Sequence, residues 1–173
     1  MSVNWQGLAS QLASVETDSD GARRERGGAD LARAALEIVL TPDALVGAVD
    51  HCVSLKPGFE LARSVLSLLR PWSAMLRCNE LFSTARDLEV RRSAVELLRV
   101  VADRRVVPWI PMFLADPDPG IQSWGIGILD QLVFSGSIDS EEVRPLIALA
   151  LAHENNSVRT VARDIETRLE DAG

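Results

Sequence analysis

Five stretches of this 173-residue chain can be laid over one another, and that self-similarity constrains its fold more than any other feature. They are LARAALEIV at 31–39, LARSVLSLL at 61–69, VRRSAVELL at 90–98, IQSWGIGIL at 121–129 and VRTVARDIE at 158–166. Their starts lie 30, 29, 31 and 37 residues apart. Counting each stretch from zero, offsets 0, 3, 4 and 7 are small or apolar in all five, and those offsets share one helix face. Offsets 2, 6 and 9 fall on the opposite face and are mostly polar. A helix pair of about 30 residues cannot bury its apolar face alone, so neighbouring pairs must stack. The spacing therefore predicts an all-α chain, a right-handed α-solenoid of about five helix pairs in one domain, 1–173. The pairs are expected at 4–40, 41–70, 71–103, 104–136 and 139–170, with 17–28 as a polar, Gly-rich loop or linker.

Punctuation between the stretches agrees with helices. Thr41-Pro42 reads as an N-cap followed by Pro at the first helical position. Pro57-Gly58, Pro71, the run Asp116-Pro117-Asp118-Pro119-Gly120 and Gly136 supply further breaks. Tyr is absent and no period-two alternation is sustained, so no β-hairpin is expected.

The repeated unit resembles the HEAT repeat, an armadillo-like family whose second helix opens with an Asp shortly before a Val-Arg pair. Asp87-Leu-Glu-Val90-Arg91 matches in full, Asn155-Asn-Ser-Val158-Arg159 substitutes Asn for Asp, and Asp118-Pro-Gly-Ile121-Gln122 loses the Arg. Asp or Asn suits that place because a short acceptor satisfies free N–H groups at a helix start. Gly28 and Gly58 stand where Asp is expected, so the early units are degenerate. Residues 104–114 are similar to the family's first helix, including its internal proline. The resemblance implies that second helices line a concave binding face. That face would carry Arg33, Arg63, Arg92, Ser123 and Thr160 at offset 2, and Glu37, Glu96 and Asp164 at offset 6. Arg70, Arg99 and Asp130 would join it at offset 9. Trp72, Trp109 and Trp124 are candidate aromatic hot spots, with Gly125 and Gly127 expected to make room for Trp124.

Composition removes several alternatives. No apolar run reaches ~18 residues, so no transmembrane helix is expected. The N-terminus lacks the charged and apolar parts of a signal peptide, which points to a cytoplasmic protein. Cys52, Cys78, His51 and His153 are too few for a disulfide framework, and no metal or cofactor is expected. Adjacent residues on a helix do not face each other, so His51 and Cys52 make a poor catalytic pair. The net charge of −7 lies wholly in 116–173, where eleven acids meet four arginines. That balance argues against a nucleic-acid binder.

The resulting expectation is a non-catalytic protein-binding module with a protein partner. Small size, acidity and a HEAT-like array are similar to bacterial immunity proteins, which bind and neutralise a cognate toxin. A general HEAT-repeat scaffold or a chaperone- or lyase-like subunit is the alternative. A HEAT-like DNA glycosylase, with Trp109, Trp124 and Asp130 beside a flipped base, ranks lower because the last two pairs are acidic.

Overall fold

The computed structural model describes residues 4–13, 15–17, 23–25 and 29–171. Helices dominate: α1 (Trp5–Gln11), α2 (Ala29–Leu40), α3 (Pro42–Val53), α4 (Phe59–Leu69), α5 (Trp72–Thr84), α6 (Leu88–Val101), α7 (Ile110–Leu114), α8 (Pro119–Phe134), α9 (Ser140–Leu151) and α10 (Asn156–Asp171). A 3-10 turn, Arg104–Trp109, precedes α7.

Two expectations are corrected at this level. Strands β1 (Val15–Thr17) and β2 (Arg23–Glu25) pair antiparallel, with Val15 opposite Glu25, so that β2 and the last residue of β1 fall in 17–28, the segment read as loop. The rest of that segment, including Gly28, lies outside the described residues. The stretch 104–114 is not one helix but a 3-10 turn joined to a single short α-helix. Pro108 and Pro111 both lack the N–H that would continue an i→i−4 ladder, which favours the tighter winding.

Helix starts follow the capping chemistry. Asp87 accepts from the Glu89 N–H at 2.9 Å, Asp118 from Ile121 N–H at 2.9 Å, and Asn155 from Ser157 N–H at 2.9 Å. Gly58 has no side chain to offer α4, and its φ of 95° is one that glycine tolerates. α5 begins after Pro71 and has no cap of its own. Its second residue is served from outside instead: the Glu37 carboxylate accepts from Ser73 N and Ser73 Oγ at 3.2 and 3.3 Å.

Successive helices pack in pairs, and alternate helices touch along the molecule. α3 meets α4, α5 meets α6, α7 meets α8 and α9 meets α10, while α4–α6, α6–α8 and α8–α10 contacts run along the molecule. Leu66, Met75, Leu98, Phe113, Leu129 and Ile165 are fully buried in one continuous core. Phe82 and Phe113 meet edge to face at 5.0 Å between centroids, tying α5 to α7.

The apolar face read from the repeats is buried in α6, α8 and α10, through Ala94 and Leu97, Ile121 and Ile128, and Val158 and Ile165. α4 departs from this. Leu66 and Leu69 are buried there, whereas Leu61 and Leu68 are 73% and 72% exposed. α4 has turned a neighbouring stripe inward. α2 has no buried residue at all.

Candidate protein-binding surface

Polar side chains at the helix starts form a relay between successive layers. Arg91 on α6 donates from Nε to the Phe82 carbonyl at the end of its own first helix, at 3.1 Å, and from Nη2 to Asp116 of the next layer. Gln122 occupies the same place on α8. Its Nε2 donates to the Asp116 carbonyl at 2.7 Å, and its Oε1 accepts from Asn155 Nδ2 of the following layer at 2.8 Å. Arg159, the equivalent on α10, donates to the His153 and Glu154 carbonyls, both at 2.7 Å. His153 joins the relay: its Nε2 donates to the Leu114 carbonyl at 2.9 Å, because Nδ1 already accepts the Asn155 N–H.

Several residues expected to face a partner are engaged in the same stitching. Arg92 grips Asp118 with Nε and Nη2 at 3.0 and 2.6 Å and reaches Glu89 with Nη1 at 2.6 Å. Asp118 is almost fully buried, and the Arg92 hydrogen bonds hold its carboxyl at about 2, against the opposing effect of burial. The same bonds push the Arg92 guanidinium upward. Asp130 on α8 receives Arg168 of α10 at 2.5 Å. Arg63 and Glu96 face each other between α4 and α6 at 3.6 Å. Ser123 and Thr160 return their hydroxyls to the carbonyls four residues back, Pro119 and Asn156. Glu37 turns to α5, as described above, and Asp164 is exposed.

Trp72, Trp109 and Trp124 are half-buried against the core. Trp72 and Trp109 stack at 5.4 Å, and Arg105 covers the outer face of Trp72 at 5.0 Å. Arg105 is itself held by Asp103 at 2.5 Å. Trp124 lies under Arg99, 5.6 Å from guanidinium to ring centroid. Trp109, Trp124 and Asp130 thus each have a different partner, and none of the three is drawn to another by a ring contact or hydrogen bond. Gly125 and Gly127 of α8 do not serve Trp124 as expected. A Cβ on Gly125 would stand 2.7 Å from Phe113 Cβ, so this glycine admits α7. A Cβ on Gly127 would meet Arg99 Cδ at 3.2 Å, so this one seats Arg99.

No ring contact or hydrogen bond joins His51 to Cys52. His51 Nε2 meets the Pro57 carbonyl at 3.0 Å and Cys52 Sγ the Phe59 carbonyl at 3.5 Å. Burial pushes both the Cys52 and Cys78 thiols up, which leaves them protonated and poorly nucleophilic. Among the described residues no group of three His, Cys, Asp or Glu side chains is placed to hold a metal, and no helix is long and apolar enough to cross a membrane.

No family model matches the chain, and neither a curated protein nor a solved structure is similar to it. Its function therefore has to be read from its own surface.

One hollow of about 470 Å³ lies between α9 and α10, lined by Arg144, Ile147, Glu166 and Leu169 among others, and two more lie at the α2–α4 end. A groove of about 510 Å³ is lined by Arg33, Arg63, Ser64, Ser67, Leu68 and Arg70, among others. A second hollow of about 610 Å³ shares Arg33 and Arg70 and continues past Glu37 to Arg104 and Arg105. Arg33, Arg63 and Arg70 are thus brought together, while Arg92, Arg99 and Asp130 are not part of this site. Leu61 and Leu68 were assigned to the core by the repeat pattern and lie on the surface instead. The signal that separates them is local: 59–69 carries two overlapping apolar stripes, 61/65/68 and 62/66/69, and only one can face inward.

Proposed function

We propose that this chain is a non-catalytic protein-binding module built as a HEAT-like right-handed α-solenoid. In this reading 41–70, 71–103, 104–136 and 139–170 are successive layers. The observation that carries it is the relay of Arg91, Gln122 and Arg159. Three residues at one repeat position each bond back to the end of their own first helix or the turn after it, and the first two also bond forward to the next layer. Quasi-one-dimensional stacking of this kind leaves an extended face and no enclosed chamber, which suits recognition of another protein better than chemistry on a small molecule.

Its sharper form is a cytosolic bacterial immunity protein that binds and neutralises a cognate toxin. Support comes from the exposed carboxylates of the last two layers, among them Glu141, Glu154, Asp164, Glu166 and Glu170. Such a surface steers and occludes a cationic partner. The test is co-expression with the small protein encoded beside it. That protein alone should arrest growth, and growth should return when the chain forms a stoichiometric complex with it. A neighbour that is harmless, or toxic but unbound, sinks the toxin reading. If the chain forms no complex with any protein after cross-linking in cells, the binding-module reading falls as well.

A further inference from the structure

The arginines of this molecule fall into two groups by how firmly they are held. Arg77, Arg92, Arg105 and Arg168 reach carboxylates at 2.8 Å or less. Arg33 reaches only Asp30, a fully exposed partner at 3.5 Å, and Arg63 reaches Glu96 at 3.6 Å. Arg70 makes no ion pair with any described residue, and it occupies a left-handed position (φ 47°) at the end of α4 that glycine or asparagine usually fills. Arg33, Arg63 and Arg70 line one groove, in which Glu60 is the one carboxylate, and Arg104, which reaches Glu142 only at 3.7 Å, lines the adjoining hollow.

Exposed apolar side chains gather at the same place. Among the described residues, eight of the thirteen large hydrophobic residues that are exposed lie between Leu36 and Leu68. On α4 they form a stripe of Leu61, Val65 and Leu68, one face of a helix at i, i+4 and i+7. The matching stripe is buried or half-buried in α6, α8 and α10. α2 approaches α4 through Arg33, Ala34 and Glu37 around Leu69 and Arg70, and leaves the stripe uncovered. Leu68 belongs to both features: it ends the stripe and lines the arginine groove.

We propose that the α4 flank is a docking seam for a partner's helix that carries an apolar stripe edged with carboxylates. It rests on the protein-binding reading above and names the chemistry of the segment bound. The apolar stripe of the incoming helix lies on Leu61, Val65 and Leu68, the helix-in-groove mode of recognition. The small side chains of Ser64 and Ser67 let it approach. Its acidic edge meets Arg33, Arg63 and Arg70, whose charge is not already spent on a short internal pair. A basic or uncharged helix finds no such complement, and the acidic face of α9 and α10 lies on other elements.

The test uses the full chain and a displayed library of helical peptides. Peptides selected on the parent should carry apolar residues at i, i+4 and i+7 with Asp or Glu along one edge. The L61D/L68D variant should bind them at least about tenfold more weakly, as for loss of central apolar anchors. R70E should weaken binding and flatten its salt dependence. Both variants alter exposed or unpaired side chains, so their thermal transitions should match the parent's, and L149D on α9 should bind normally. The seam is overturned if the selected peptides are basic, if they bind L61D/L68D as tightly as the parent, or if none is enriched. It is also overturned if the parent dimerises in sedimentation and L61D/L68D does not, since the occupant is then a second copy. Peptides that ignore the seam variants overturn the seam while leaving the protein-binding reading intact.

Discussion

Gly125 and Gly127 sit two residues apart in α8, and the same substitution should have opposite effects at the two. Alanine gains about 0.8–1.0 kcal/mol over glycine in a helix interior. At Gly125 the new methyl stands 2.7 Å from the Cβ of fully buried Phe113. Relief needs a backbone shift of α7 against α8, and overpacking of this kind costs about 1–3 kcal/mol. G125A is therefore expected to lose about 1 kcal/mol net in urea unfolding. At Gly127 the obstacle is the flexible Arg99 side chain, which can swing away from Trp124. G127A is expected to hold or gain up to about 1 kcal/mol. Equal midpoints for the two variants would contradict the assignment of these glycines. Asp118 offers a second residue-scale prediction. Its folded pKa of about 2, set first by Arg92, lies below the ordinary carboxylate value of about 3.9. A depressed folded pKa contributes stability that is complete above the unfolded value and is lost as pH falls through the folded one. D118N keeps the cap on Ile121 but not the charge. Its melting temperature should lie below the parent's at pH 7 and pH 5, with the gap closing towards pH 2. A gap that stays constant with pH would show that the Arg92 pair adds no charge-dependent stability.

Among the elements, α10 depends most on one side chain outside it. Asn155 accepts the Ser157 N–H and donates to Gln122 Oε1 and to the Pro119 carbonyl at 2.8 and 3.3 Å. Alanine there removes the cap and the link to α8 together. N155A is expected to destabilise the fold by about 1–2 kcal/mol, the upper half of the range for cap removal. Amide exchange should accelerate first at the N-terminal turn of α10. N155D keeps the acceptor and loses the donors, so it should recover most of the cap and little of the coupling to α8; full recovery by Asp would show that only the cap matters. The capping part of this was legible in the sequence, because Asp87, Asp118 and Asn155 precede their helices at one recurring place. The relay was not, since a polar residue at offset 1 or 2 has the same pattern whether it faces water or bonds to the next layer. The turn of α4 was hidden because Leu61, Val65 and Leu68 form one apolar stripe and Ala62, Leu66 and Leu69 another beside it, and the more apolar of the two is the exposed one. The β1–β2 ribbon was not legible because five residues separate its three-residue strands, too short for an alternating pattern to show.

Across the whole molecule, firmness of packing runs unevenly along the chain. α6 buries Ala94, Val95, Leu97, Leu98 and Val101, and α8 buries Ile121, Ile126, Ile128, Leu129 and Leu132. α2 buries nothing. The side-chain relay begins at α6 and carries on through α8 to α10, so opening any one of these helices breaks bonds to its neighbour. α2 is tied in mainly by Glu37 at the start of α5 and by Arg33 at the edge of the groove. Local stability follows buried apolar contact and protected hydrogen bonds. Hydrogen exchange in low denaturant should therefore show two behaviours. α6 and α8 amides should exchange only through global unfolding, with a steep dependence on denaturant. α2 amides should exchange through a small local opening with little such dependence. The arginine groove lies at this boundary, with α2 on one side and the firm α4–α6 pair on the other. A partner seated on the α4 flank near Arg33 and Arg70 would then slow exchange in α2 far more than in α8. Protection of α2 equal to that of α6 in the free protein would refute this account, because it would require α2 to bury apolar side chains that the structure leaves exposed.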